Sequence, residues 1–380
     1  MKVYLDNAAT TPIASEVIEE IQPYLNNYFG NPSSTHAFGR KTKNAIEINR
    51  KKIADLIRAK NNEIIFTSGG TEADNMALRC AVFDLNVKRI ITTKIEHHAV
   101  LHTAECLRDQ QNVEVIFLAT DHNGNPDLVQ LESIVNDKVN TLVTLMHANN
   151  EIGTLLPIKK VASICAKHKH VYFHSDTVQT MGHYTFNLSE TPIDFLTCSA
   201  HKLHGPKGVG FLYVNQKISL NPLITGGSQE RKNRGGTENL YGIVGLGKAM
   251  EMAYENLASH QKHIQGLKSF MKKELEKIDQ RISFNGETSP EKSLYTVLNV
   301  CFPADVCNSM LLFSLDIHGI AASGGSACSS GSNQGSHVLA ELPHQDNCQS
   351  VRFSFSRFNT QEDVEFTIEK IRSIINHGIK

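Results

Sequence analysis

From about residue 50 to residue 215, short apolar runs alternate with longer amphipathic stretches. The runs are Glu63–Phe66, Arg89–Thr93, Val113–Leu118, Thr141–Met146, Val171–His174, Phe195–Cys198 and Gly210–Val214. Their lengths and their content of Ile, Val, Phe and Thr predict strands. Between them, Glu72–Phe83 and Ile158–Lys169 space their apolar residues as helices do. Strand–helix alternation predicts a mainly parallel sheet covered by helices. A sheet of that kind gathers its functional groups beyond the carboxyl ends of its strands. A longer helical pattern, Ile243–Lys277, is expected to bridge to a second domain. Beyond it, Tyr295–Phe302 and Val351–Phe358 read as strands and Glu362–Asn376 as a closing helix. No internal repeat is evident. The low-complexity stretch is Ser323–Ser336, with six serines and four glycines in 14 residues.

Composition narrows the function classes. A chain of 380 residues suggests two domains. With 38 Lys+Arg against 39 Asp+Glu, no global field exists to hold a polyanion, so direct nucleic-acid binding is not expected. Forty per cent hydrophobic and 20% charged residues are ordinary for a soluble globular chain. No apolar run approaches the roughly 18–20 residues of a membrane helix. Met1–Asp6 lacks the apolar stretch of a secretory leader, so a cytoplasmic protein is expected. The cysteines are Cys80, Cys106, Cys165, Cys198, Cys301, Cys307, Cys328 and Cys348. Their irregular spacing predicts no disulfide framework, and most should be buried thiols.

Several strand ends carry chemistry. Glu63–Phe66 runs into Thr67-Ser-Gly-Gly-Thr71 and then a helix, which offers backbone N–H groups and a positive dipole end to a phosphate. A plain helix cap would use the same residue types. Val171–His174 leads to Asp176, with Gln179 three residues on. Phe195–Cys198 leads to Ser199-Ala-His201-Lys202. A lysine at the end of a buried strand is costly unless its amine loses its proton, and then it is a nucleophile. Its plain alternative is a solvated loop lysine. A phosphate cradle, a strand-end aspartate and a strand-end lysine together suit pyridoxal 5'-phosphate: the lysine forms the Schiff base and the aspartate keeps the pyridine nitrogen protonated.

Cys328 stands apart from the other thiols. Its neighbours, Ser323 to Ser332, are too rich in Gly and Ser to pack firmly, so this thiol is expected to be exposed and able to move between sites. An incidental surface cysteine is the alternative. In Val351-Arg352-Phe353-Ser354-Phe355 the apolar residues should face the core, leaving Arg352 on the other side to bind a carboxylate or face solvent. His97-His98 beside Glu96, and His168, His170 and His174 near Asp176, invite a metal reading. Their spacing matches no standard ligand set, and no metal is expected.

These motifs, in this order, resemble the cysteine desulfurases of the NifS/IscS type, in the class V aminotransferase group. The marks are Tyr4-Leu-Asp-Asn-Ala-Ala-Thr-Thr-Pro12, Gly30-Asn-Pro-Ser-Ser34 with His36, Phe66-Thr-Ser-Gly-Gly-Thr-Glu72 and Glu96-His-His-Ala-Val100. Further along come Met146-His-Ala-Asn-Asn-Glu-Ile-Gly153, Ser199-Ala-His-Lys202, Arg234-Gly-Gly-Thr-Glu238 and Gly325-Ser-Ala-Cys-Ser329. Where many relatives have Ala in the phosphate motif, this chain has Gly70.

The resemblance implies an α/β chain of PLP-dependent transferase fold type I, aspartate-aminotransferase-like. It implies a large cofactor-binding domain of residues 13–258 with a mainly parallel seven-stranded sheet. It also implies a smaller α+β domain of residues 1–12 and 259–380 that carries the cysteine loop. By the same resemblance Lys202 holds the cofactor and Asp176 pairs with its ring nitrogen. His97 stacks on the ring and assists proton transfer, while Asn150 and Gln179 contact the ring oxygen. Gly70, Thr71, Ser199 and His201 hold the phosphate, and Thr237 reaches it from the second subunit of a homodimer. Arg352, with Asn150, binds the substrate carboxylate. Cys328 takes the sulfur of L-cysteine as a persulfide, alanine leaves, and the sulfur passes to an acceptor. Housekeeping relatives carry a longer C-terminal tail, so the acceptor stays open between an iron–sulfur scaffold and a tRNA-thiolation protein. A lyase of the same fold releasing sulfide or selenide is the alternative.

Overall fold

The computed structural model describes residues 1–306, 310–324, 335–342 and 348–377. The chain opens with β1 (Val3–Tyr4), α1 (Ser15–Asn26) and α2 (Ala37–Leu56). Then come β2 (Ile64–Thr67), α3 (Gly70–Asp84), β3 (Arg89–Thr92), α4 (His98–Gln111), β4 (Glu114–Phe117), α5 (Leu128–Ile134), β5 (Thr141–Thr144) and α6 (Ile158–Ala166). β6 (Val171–Asp176), β7 (Phe195–Ser199) and β8 (Gly210–Val214) follow. The remainder is α7 (Leu240–Glu255), α8 (Leu257–Ile278), β9 (Ser283–Asn285), β10 (Val297–Pro303), α9 (Leu311–Ile317), β11 (Ile320–Ala321), α10 (His337–Ala340), β12 (Cys348–Ser354) and α11 (Gln361–His377).

Seven strands form one sheet in the order β2-β8-β7-β6-β5-β3-β4. The β7–β6, β6–β5, β5–β3 and β3–β4 pairs are parallel. β8 runs antiparallel to both of its neighbours, β2 and β7. Successive residues of each strand serve opposite faces. Ile91, Val143, Phe173, Leu196 and Phe211 pack in a core with α2, α6 and α7. Their chain neighbours Ile90, Leu142, Phe195 and Leu212 pack in another with α3 and α4. Burial on both faces explains why these strands read as unbroken apolar runs. Full burial of a side chain such as Phe195 or Phe211 is worth about 1.5–3 kcal/mol.

A separate core joins Val3 and Leu5 to α8, β10, β12 and α11, through Ile264, Met271, Val300, Phe353 and Val364. β9, β10 and β12 form its antiparallel sheet, and β1 pairs in parallel with β11. Among the described residues, no helix is long and apolar enough to cross a membrane.

Three expectations are corrected. The Ile243–Lys277 pattern is two helices, α7 and α8, which part at Asn256 (φ −112, ψ 15), a residue whose amide competes for backbone hydrogen bonds. Cys301 and Cys348 are joined by a disulfide with Cα atoms 5.5 Å apart. Spacing could not reveal it, because the register of β10 on β12, with Cys301 opposite Ser350 and Pro303 opposite Cys348, sets the two thiols diagonally adjacent. Cys80, Cys165 and Cys198 are buried free thiols, as expected. The third correction concerns His174, which leaves His168 and His170 paired in the loop before β6 and enters the core with no exposure.

Candidate active site

Beyond the carboxyl ends of β2, β6 and β7 lies a cavity of about 220 Å³. Its walls include Gly70, Thr71, His97, Asn150, Asp176, Gln179, Ser199, His201, Lys202 and Arg352. Every residue expected at the cofactor or substrate is therefore here except Thr237 and Cys328. Thr237 is exposed beside a second cavity of about 150 Å³ with Ser68, Glu230 and Arg234. Cys328 lies outside the described residues.

At one end, α3 starts at Gly70 behind Gly69, and no side chain among the described residues caps it. Helix starts leave N–H donors free, and the macrodipole adds a positive potential there. Glu72 accepts from the Ser68 N–H at 2.8 Å and pairs with Arg234 at 2.9 Å, which fixes the turn from outside the cavity. Ser199 and His201 stand at the same end because β7 stops at Ser199 and a 3-10 turn, Ala200–Lys202, follows. His201 is pushed down to about 4, first by burial and then by Lys202 and Lys207. As a neutral ring it contacts Thr10 Oγ1 at 3.2 Å.

The same turn delivers Lys202 to the middle of the cavity. Its Nζ donates to the carbonyl oxygens of Ala8 at 2.5 Å and Ala9 at 2.8 Å. Gln179 Nε2 donates to Ala8 as well, at 3.1 Å. The N-terminal segment is thereby drawn under the lysine. His97 caps α4, its Nδ1 accepting from the Ala99 N–H at 3.2 Å. Burial, then the positive charge of Lys202, hold it down to about 4, so the ring is neutral near pH 7.

The far end is acidic. Asp176 closes β6, accepts from the Val178 N–H at 2.8 Å, and is pushed up to about 6 by burial against the pull of that N–H and Lys202. Asp74, on α3, also lines the cavity; the sequence reading missed it, although it lies one turn beyond Thr71 on the same helix face.

Arg352 enters from β12. Nη1 donates to the Asn150 carbonyl at 2.9 Å and Nη2 to Asp6 Oδ1 at 2.8 Å, while Nε has no partner among the described residues. The residue is 1% exposed, like Val351 and Phe353 beside it. The expected alternation therefore holds in direction, but both faces of β12 are covered, and the solvated-arginine alternative is excluded.

The arrangement is an anion-receiving helix start, a central amine, a neutral imidazole, a buried carboxylate and a guanidinium. The donor set fits a flat aromatic phosphate ester with a carbonyl for the amine and a basic ring nitrogen for the carboxylate.

Comparison with known proteins agrees. The aminotransferase class-V family profile matches residues 3–366. A protein called cysteine desulfurase IscS from Dictyoglomus turgidum is 44% identical, covering 98% of this chain and 94% of its own. Another of that name from Methanosarcina thermophila is also 44% identical, covering 98% and 92%. The solved structure of a NifS-like protein superposes with a TM-score of 0.91 at 36% identity, over 99% of this chain and 100% of that one. The structure of SspA in complex with cysteine superposes at 0.79 with 34% identity, over 94% and 100%. On this agreement of sequence, fold and site, the chain belongs to the aminotransferase class-V family.

Proposed function

We propose that this chain is a pyridoxal-phosphate-dependent cysteine desulfurase, taking sulfur from L-cysteine and leaving L-alanine. The observation that carries the reading is Lys202 Nζ in one cavity with Asp176, His97 and Arg352. When bound, pyridoxal phosphate supplies a sink for the electron pair released at the substrate Cα.

Each residue then has a task. The start of α3 at Gly70 and Thr71, with Ser199 and His201, receives the phosphate. Asp176 would hold the proton of the ring nitrogen, and Lys202 Nζ would be the amine that anchors the cofactor. Neutral His97 covers the ring face, and Asn150 and Gln179 serve the ring oxygen. Arg352 Nη1 and Nη2 face the substrate carboxylate, whose binding orients Cα toward Lys202 Nζ. That amine would be the base that takes the Cα proton. Cys328 acts on the substrate sulfur: its thiolate forms a sulfur–sulfur bond while the substrate Cβ–sulfur bond breaks. The carbon skeleton gains a proton and leaves as alanine, and Cys328 keeps a persulfide for transfer.

The domain reading goes with this, with residues 13–258 as the cofactor domain and residues 1–12 and 259–380 as the domain of Cys328. So does a homodimer. Thr237 stands outside its own cavity, and Phe29, Phe38, Leu25 and Ile18 are 69%, 58%, 56% and 54% exposed on α1, α2 and the turn between them. Apolar surface on that scale marks an interface. The acceptor is a protein in the cytoplasm, an iron–sulfur scaffold or a tRNA-thiolation protein.

The deciding experiment measures alanine and protein-bound persulfide together after adding L-cysteine. Equal yields of both are expected in a single turnover. Cys328→Ala should bind cofactor and L-cysteine and yield neither product. Free sulfide at the wild-type rate from that variant would favour a lyase instead.

A further inference from the structure

Asp74 has no role in the reaction as described, yet it shares the acidic end of the cavity with Asp176. Atoms of Asp74, His97 and Asp176 lie within 4.8 Å of one another. The two aspartates are 1% and 7% exposed. Oδ1 of Asp74 has no hydrogen-bond partner among the described residues. The charged groups that act on Asp74 are Asp176 and Glu96, both acids. Besides His97, a second imidazole approaches it: His174 Nε2 stands 3.5 Å from Oδ1. That ring is already engaged, through Nδ1 with Thr144 Oγ1 at 2.8 Å and through Nε2 with Thr197 Oγ1 at 3.1 Å.

The sheet explains the arrangement. His174 and Asp176 are two apart on β6 and so share a face. Thr144 is the register partner of His174, and Thr197 that of Asp176. α3 covers this face, which brings Asp74 over the row. The result is a polar row that runs from Asp176 and Asp74 at the cavity wall to Thr197, His174 and Thr144, which are fully buried.

Two carboxylates in such a place cannot both ionise. Like charges at this separation in a weakly polar surrounding force one group to keep its proton. An Asp74–His174 ion pair would need a charged imidazole, which burial opposes. We infer that Asp74 is a positioning residue that stays protonated and leaves Asp176 the only negative charge beneath the cofactor's ring nitrogen. This rests on Asp176 as the partner of that nitrogen. Asp176 and a protonated ring nitrogen then form a balanced buried pair, which an ionised Asp74 would leave with an uncompensated charge. As a neutral acid, Asp74 can donate its O–H toward the Asp176 carboxylate and help to hold its plane. Burial, then Asp176, push the Asp74 carboxyl well above its ordinary value, against the opposing pull of a hydrogen bond from Thr197.

The test uses the holoenzyme and two variants, Asp74→Asn and Asp74→Ala. Infrared difference spectra near pH 7 between wild type and Asp74→Asn should show a protonated-carboxyl stretch that the variant lacks. Other buried acids, such as Glu96, cancel in the difference. Asparagine keeps both the shape and a donor, so the pyridoxal phosphate dissociation constant should change by no more than about threefold, whereas alanine should weaken it by about tenfold or more. The inference is overturned if the difference spectrum shows a lost carboxylate instead. It is also overturned if asparagine loosens the cofactor as much as alanine does. Should Asp74→Ala not fold, the asparagine comparison decides alone. A holoenzyme that shows the carboxyl stretch but turns over no L-cysteine would sink the desulfurase reading and leave this one standing.

Discussion

Arg352 is gripped before any substrate reaches it. Asp6 and the Asn150 carbonyl hold its two terminal nitrogens, and its backbone N–H donates to Ser323 at 2.6 Å. The guanidinium is buried, so its charge needs a counter-ion, and Asp6 supplies it at 2.8 Å with 18% of its side chain exposed. A substrate carboxylate would offer a second counter-ion. Removing the first should therefore destabilise the empty site most and make the protein lean on its ligand. Loss of one partner of a buried pair costs about 3–5 kcal/mol; partial exposure of Asp6 reduces this to roughly 2 kcal/mol. Asp6→Asn is thus expected to lower the melting temperature of the holoenzyme. Saturating L-alanine should raise it by more in the variant than in wild type. Equal increments in the two proteins would remove Arg352 as the carboxylate site.

Among elements, β8 matters most for the phosphate end, because it passes close beneath the Gly-rich turn. Gly210 opens β8 opposite both Thr67 on β2 and Ser199 on β7. A Cβ there would lie 2.2 Å from the Cys198 carbonyl oxygen and 3.0 Å from Gly69 backbone atoms. These are backbone atoms with nowhere to go. Gly210→Ala should cost about 1–3 kcal/mol and weaken pyridoxal phosphate binding, as read by denaturation and cofactor titration. A Cβ on Gly70 would meet Val178 Cγ2 at 2.9 Å, the end of a side chain that can shift. Gly70→Ala should therefore be much the milder variant, and the reverse order would mean that the turn is not held by β8. The seven sheet strands were legible as apolar runs, because strands covered on both faces need little polar residue. What was not legible depends on residues far apart in the chain. The antiparallel insertion of β8, the Cys301–Cys348 bond, the burial of Arg352 and the meeting of Asp74 with Asp176 are all set by strand order and register. Local pattern carries no record of either. The break at Asn256 was local, but a single polar residue inside a helical period gives a weak signal. Cys328, the residue proposed to take the sulfur, was legible only through its neighbours and lies outside the described residues.

At the scale of the molecule, buried imidazoles govern the response to acid. Burial holds His97, His147, His183, His201 and His204 down to about 4 and His174 to about 3. A histidine with a lowered folded value contributes stability that is fully present above its unfolded value, about 6.5, and is lost as pH falls toward the folded one. For His147 alone, enclosed and bonded to Thr180 Oγ1 at 2.9 Å, the loss between about pH 6.5 and 4 is on the order of 3 kcal/mol. Buried acids act with the opposite sign. Burial pushes Asp176 and Asp194 up to about 6, Glu96 up to about 8 and Asp74 well above its ordinary value, so what they contribute is lost as pH rises. The histidines outnumber these acids, so the limb below pH 6.5 should slope toward unfolding despite Asp176 and Asp194. Above it, Glu96, up to about pH 8, and Asp74 should lower stability gradually. Denaturant midpoints of the holoenzyme from about pH 4.5 to 8 should thus pass through a maximum near neutrality. His147→Asn takes one titrating ring out of the core, so its acid limb should be shallower than that of wild type. A limb of unchanged slope would place the acid sensitivity elsewhere among the buried rings, and a midpoint that rises steadily toward pH 4.5 would mean that the acids outweigh them.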